Sequence, residues 1–334
     1  MPAQGWCPST YRIHESPDGG LARIRVPGGA LTLDQLRVVA ETADRMGNGR
    51  VDLTRRANLQ IRGLDPDDAP ALRAALAPTG LVGPSAELED RRNVLAPPTA
   101  GLDDELIDVR LLVDDVVDAL DNLPTDLDLT HKFGVLLDGG GTTSLRSIAT
   151  DVSLGVIAFG DDVLFEIGLG RPLGAAGGPR LAVAASDVPA LVAAAATFCA
   201  EPPAGAAGRM ATVLDIIGLT VALDHIGRGA PLVPVEVPNR RVPVDAAPLG
   251  PGPEGANEPR WVGVRPTDIP ASAAALSDLV ALAGDHGVAD IRLTPWRSLV
   301  LARGDRHSGL VDTLATRGWT IEPLAANHTD RAVA

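Results

Sequence analysis

Apolar and polar positions recur along this chain at a constant offset of 240 residues, without gaps. With Ile24-Arg25 laid over Val264-Arg265, Leu36 falls on Leu276, Ala43 on Ala283, Gly47 on Gly287 and Leu59 on Leu299. The run Val51-Asp52-Leu53-Thr54 falls on Ile291-Arg292-Leu293-Thr294. Such self-similarity marks a repeated structural unit. Each copy predicts a short strand (21–26; 261–264), an amphipathic helix (31–46; 272–286) and two strands meeting near Thr54 or Thr294. Each half is small for independent folding, so the two are expected to pair about a pseudo-twofold axis and bury one face each.

Between the copies the pattern changes. Residues 102–120 carry apolar positions at helical spacing, and 133–137 is a short strand entering Asp138-Gly139-Gly140-Gly141. Residues 155–159 and 163–169 read as a hairpin about 160–162, and 181–185 as a further strand. An Ala-rich helix follows, with Ser186 or Asp187 as its N-cap and Pro189 in its first turn, then a second helix over 209–226. Eight prolines between 230 and 260 mark a linker or an extended crossing segment. The expected organisation is a first half-domain over 10–90, an α/β domain over 98–228, a Pro/Gly-rich linker over 229–258 and a second half-domain over 259–326.

Composition narrows the chemistry. A length of 334 residues with a net charge of −14 argues against broad polyanion binding, so no nucleic-acid partner is expected. Cys7 and Cys199 are the only cysteines, too few for a disulfide framework or a four-thiolate cluster built from this chain. The N-terminus has no apolar core after a basic start, and the most apolar stretch is broken by Asp187 and Pro189; a cytoplasmic protein without a membrane span is expected. No Ser/His/Asp spacing, Walker loop, HExxH helix or dinucleotide fingerprint is present, and the histidines are scattered, each read as a surface or core residue. No metal site is expected from side chains of this sequence.

Three segments stand out. If 53–63 is one extended strand, Arg56, Asn58, Gln60 and Arg62 share a face, a polar wall whose guanidinium forks suit several carboxylates. A solvent-facing sheet strand reads the same way, but the second copy has Trp296 and Val300 at the matching positions, so only the first copy resembles a site. Glu89-Asp90-Arg91-Arg92-Asn93-Val94-Leu95 places an arginine pair before an apolar step, by itself an ordinary solvated pair. His131-Lys132-Phe133-Gly134 leads into the triple glycine, a tight turn or a close approach to a ligand. Lys132 is the chain's single lysine, a compact ammonium that arginine cannot imitate at a tight anion site.

Taken in order, TxRxxxQxxG, RNVL and KFG, flanked by the two repeats, resemble the nitrite and sulfite reductase superfamily. Within it the precorrin-3B synthase branch is the nearest match, on Cys7-Pro8, residues 56–62, Lys132-Phe133-Gly134 and Leu293-Thr294-Pro295-Trp296-Arg297. The resemblance implies an α+β fold: two ferredoxin-like half-domains in a pseudo-twofold repeat, with a siroheme-type α/β domain between them. It further implies an oxidoreductase of aerobic cobalamin biosynthesis that hydroxylates precorrin-3A with O2 and forms a γ-lactone. Arg56, Arg92 and Lys132 would line the pocket for the anionic precorrin, with Asn58, Gln60, Arg62 and Asn93 beside them and Lys132 in the catalytic role. A siroheme-like tetrapyrrole or iron is the cofactor implied. In sulfite reductases a second lysine follows the first by two places; Gly134 stands there, which disfavours sulfite or nitrite reduction. The family's 4Fe-4S cluster rests on four cysteines after the second repeat, and these ligands are absent from this chain, which ends at Ala334. A separate cluster-bearing partner chain or reductase is therefore expected, the alternative being a redox-inactive tetrapyrrole-binding module.

Overall fold

The computed structural model describes residues 7–103, 105–159, 162–175, 180–200, 208–235, 247–252, 260–302 and 309–321. The first copy contributes β1 (His14–Ser16), β2 (Gly19–Ile24), β3 (Ala30–Leu31), α1 (Leu33–Met46), β4 (Arg50–Leu53), β5 (Leu59–Leu64), α2 (Ala69–Leu76) and α3 (Ala86–Arg91). The middle of the chain forms β6 (Val94–Leu95), α4 (Val113–Asp121), β7 (Val135–Asp138), β8 (Val152–Phe159), β9 (Asp162–Leu169), β10 (Leu181–Ala184), α5 (Val188–Ala200), α6 (Met210–Ile217), α7 (Leu219–Gly229) and β11 (Val233–Pro234). The second copy follows as β12 (Gly250–Pro251), β13 (Trp261–Pro266), β14 (Ala271–Ser272), α8 (Ala273–Asp285), β15 (Ile291–Leu293), β16 (Leu299–Ala302), α9 (Leu310–Thr316) and β17 (Trp319–Thr320).

The repeat is physical. Thr32 caps α1 by accepting from the Gln35 N–H at 3.1 Å while Gln35 Oε1 accepts from the Thr32 N–H at 2.9 Å. Ser272, 240 residues on, caps α8 through the Ala275 N–H at 3.1 Å. Each copy's sheet is completed by a two-residue strand from the other: β14 pairs with β4, and β3 pairs with β15. The apolar faces of α1 (Leu36, Val39) and α8 (Leu276, Leu279) enter one continuous core with Ile24, Leu59, Ile61, Ile291 and Leu299. The halves thus pair as expected, sharing a single core.

The middle segment builds a mixed six-stranded sheet in the order β11-β10-β9-β8-β7-β6, in which β6, β7 and β8 run parallel. Val135 and Leu137 point to the side covered by α4, α5 and α7, while Leu136 points to the other, against Leu95, Leu145, Leu173 and Trp296. The helix expected over 102–120 is confined to α4 and the 3-10 turn Val109–Leu112 before it. The helix expected over 209–226 is two helices bent by 116°, because Gly218 between them takes φ +94°. The 155–159 and 163–169 hairpin is present as β8 and β9, although its tip at 160–161 lies outside the described residues, as does most of the proline-rich stretch. Among the described residues no single helix is long and apolar enough to cross a membrane.

Both repeats present their hairpin turns to the middle sheet. In each turn one threonine hydroxyl accepts two backbone N–H groups: Thr54 from Arg56 and Asn58 (3.3 and 3.1 Å), Thr294 from Trp296 and Ser298 (3.2 Å each). The only two non-glycine residues with positive φ among those described, Ala57 (50°) and Arg297 (57°), occupy the same place in the two turns. The first turn therefore presents Arg56 where the second presents Trp296.

Candidate functional site

The site assembles from four segments. On β2, alternation sends Ala22 and Ile24 into the core and leaves Arg23 and Arg25 on the opposite face. Arg23 lies across from Gln60 on β5, to whose Oε1 its Nη2 donates at 3.1 Å. Arg25 is 2% exposed; its Nη2 lies 2.9 Å from Asp90 Oδ1 and 3.3 Å from the His131 carbonyl oxygen. Asp90, at the end of α3, also pairs with Arg12, so one buried carboxylate holds two guanidinium groups. Burial brings Arg25 down to about 10, which leaves it charged at neutral pH.

Asn58 closes the first turn onto the sheet. Its Oδ1 accepts from the Val26 N–H at 2.8 Å, and its Nδ2 faces Asn93 Oδ1 at 3.4 Å. Asn93 Nδ2 in turn donates to the Phe133 carbonyl at 3.2 Å. Behind this chain, buried Asp151 accepts from the N–H groups of Gly134 (3.0 Å) and Met210 (2.8 Å) and from Arg209 Nε (2.8 Å). Cys199 is buried, its thiol pushed up to about 12 by desolvation, and its Sγ rests 3.9 Å from Met210 Sδ.

These residues enclose a cavity of about 220 Å³ lined by Cys7, Arg23, Arg25, Arg56, Asn93, His131 and Lys132. Three guanidinium groups and one ammonium border it; among the described lining residues there is no carboxylate, although Asp90 pairs with Arg25 behind the wall. Burial lowers the affinity of Arg56 for its proton, and the neighbouring Arg209 guanidinium lowers it further. Crowded cations in a half-buried space favour an anion, because a bound anion would relieve both the repulsion and the desolvation. Lys132 is exposed at this cavity, where a flexible ammonium can follow a ligand. Among the described residues no three His, Cys, Asp or Glu side chains converge on a metal position.

The structure regroups the residues singled out in the sequence. Arg56, Asn93 and Lys132 come together at the cavity. The four-residue wall does not exist as an extended strand: residues 54–58 form the turn between β4 and β5, so Arg56 swings to the cavity while Asn58 turns into the backbone at Val26. Gln60 contributes through Arg23. Arg62 lies at the far end of β5, held by Asp18 at 2.7 Å and Asp52 at 2.8 Å, which together raise its pKa further. Arg92 follows α3 with its Nη1 3.4 Å from the Gly80 carbonyl and is not among the lining residues. Sequence reasoning missed Arg23, Arg25 and Arg209 and read His131 as an ordinary histidine. The signal available was the pair of arginines alternating with Ala22 and Ile24 just before Pro27-Gly28-Gly29.

Residues 13–79 match the nitrite/sulfite reductase ferredoxin-like half domain. With its pseudo-twofold pair of half-domains about a mixed sheet, the chain is similar to members of the nitrite/sulfite reductase superfamily. Among its relatives is a precorrin-3B synthase from Sinorhizobium sp, 31% identical over 190 residues that make up 57% of this chain and 40% of that protein. A ferredoxin–nitrite reductase from Leptolyngbya laminosa is 36% identical over 139 residues, 40% of this chain and 27% of the relative. The NirA protein of Mycobacterium tuberculosis shares the fold, with a TM-score of 0.74 at 21% identity over 91% of this chain and 57% of its own. The matched region spans less than two thirds of each of these proteins.

Proposed function

We propose that this chain is the substrate-holding part of an oxidoreductase of the precorrin-3B synthase kind, its ligand an anionic tetrapyrrole of the precorrin class. The observation that carries the reading is the cavity itself: four cationic side chains and, among the described lining residues, no acidic one, in a chain of net charge −14. Similarity to a precorrin-3B synthase supports the branch. At about 220 Å³ the cavity is smaller than the roughly 300–1,000 Å³ of pockets that enclose a drug-sized ligand, so it receives the carboxylate-bearing edge of a macrocycle.

The residues fit such an edge. Arg56 offers a fork matched to a carboxylate, Arg23 and Arg25, held by Gln60 and Asp90, add positive charge beside it, and Lys132 Nζ meets negative charge near solvent. Their role is to bind and orient the macrocycle, and that of Lys132 to hold a proton at Nζ beside the reacting edge. A siroheme-like group or iron, if bound against this wall, would supply one-electron and O2 chemistry, with reducing equivalents from a cluster-bearing partner chain or a reductase. The test is to incubate the purified protein with precorrin-3A, a reductant and O2, and to follow product mass. The expected result is a gain of one oxygen that falls at least tenfold in Lys132→Ala, in line with the 10²–10⁴-fold typical of a proton-transferring group. Tight binding without any mass gain, with reductase and partner supplied, would leave a tetrapyrrole-binding module instead.

A further inference from the structure

Gly134 lies where the KFG segment enters β7, and its backbone is pinned on both sides. Its N–H donates to Asp151 Oδ2 at 3.0 Å, and its carbonyl accepts from the N–H groups of Asp151 (3.0 Å) and Val152 (3.2 Å). It is not among the positive-φ glycines, so its conformation is open to any L-residue. Space is what excludes one: a Cβ at 134 would stand 2.7 Å from Asn93 Nδ2 and 3.0 Å from Arg56 Nη1.

The two neighbours differ in freedom. Asn93 is held by its side chain at Phe133 and Asn58 and by its carbonyl at the Val135 N–H, 3.0 Å away. The Arg56 guanidinium makes no hydrogen bond or ion pair to another described residue, so it moves at the lower cost, although the 2.7 Å contact also presses on the Asn93 amide. We propose that Gly134 is a positioning residue for the cavity: its missing side chain is the seat of the Arg56 guanidinium, and Asn93 fixes the edge of that seat. The space that a side chain at 134 would fill is given to a carboxylate-matching fork beside Lys132 and Arg25. The ligand-binding consequence rests on the proposed tetrapyrrole reading, whereas the seat itself does not.

The test is a double-mutant cycle on the full chain, with uroporphyrin I, a porphyrin carrying eight carboxylates, as the probe in a fluorescence titration. Gly134→Ala is expected to weaken binding about tenfold although no charge is removed, the loss typical of one charge-assisted hydrogen bond. In an Arg56→Ala background the same change is expected to cost clearly less, because the fork it displaces is already gone and only the pressure on Asn93 remains. A Gly134→Ala effect of equal size in both backgrounds, or none in either, overturns the proposal. If Arg56→Ala binds the porphyrin as the parent does, the tetrapyrrole reading fails. The seat is then decided by a crystal structure of Gly134→Ala, where a displaced Arg56 Nη1 supports it and unmoved Arg56 and Asn93 overturn it. Should Gly134→Ala not fold, Asn93→Ala/Gly134→Ala clears the tighter contact and carries the same cycle, with the same two outcomes.

Discussion

Arg25 shows how much a single side chain here depends on a distant one. At 2% exposure it is taken out of water against Asp90, which reaches it from α3 and holds Arg12 as well. Removing one partner of a buried pair leaves an uncompensated charge, so Asp90→Ala is expected to cost about 3–5 kcal/mol of stability, read by denaturant unfolding. A cost near 0.5 kcal/mol, typical of surface pairs, would mean that Arg25 is solvated after all. The same dependence explains why the burial of Arg25 was not legible in the sequence. An arginine alternating with apolar residues on a strand reads as a solvent-facing position, and its burial follows from a carboxylate 65 positions later in the chain. Lys132 was legible for the opposite reason: composition alone isolates it as the single lysine.

Elements placed the site where periodicity did not. The run Arg56, Asn58, Gln60, Arg62 keeps perfect alternation through a chain reversal, because the turn holds an alanine at φ 50° where a glycine would have announced it. The repeat itself was legible, since helix caps and turn threonines recur at one offset. Because Thr54 and Thr294 do the same structural work, Thr54→Ala and Thr294→Ala are each expected to cost about 1–2 kcal/mol through the lost hydroxyl acceptor. Only Thr54→Ala is expected to weaken ligand binding, since its turn carries Arg56 whereas the other carries Trp296. Equal binding loss in both variants would place the effect in general destabilisation.

At the scale of the molecule, the two copies are one folding unit. They exchange β3 and β14 and share a core in which Leu36 and Leu276 are fully buried. Leu36→Ala and Leu276→Ala are each expected to cost about 2–5 kcal/mol and to lower one common unfolding transition, because neither half keeps a core of its own. Two separate transitions, only one of them moved by each variant, would contradict the shared core. The sequence showed that the copies exist but not how they interlock, since strands of two residues carry no periodic signal. The interlocked pair presents its two equivalent turns to the middle sheet, and the cavity forms where the first turn meets β6 and β7. An acidic chain thereby confines four cationic side chains to one cavity.

That confinement is tested most directly by titrating the full chain with uroporphyrin I and, in parallel, with its octamethyl ester, in the parent, Arg56→Ala, Lys132→Ala and Arg62→Ala proteins. The carboxylate form is predicted to bind and the ester not. Arg56→Ala and Lys132→Ala should each weaken binding about tenfold or more with melting unchanged, and Arg62→Ala should leave it within about twofold. Equal binding of the ester, or affinities indifferent to Arg56 and Lys132, would contradict the assignment of the cavity as the site for a carboxylated macrocycle.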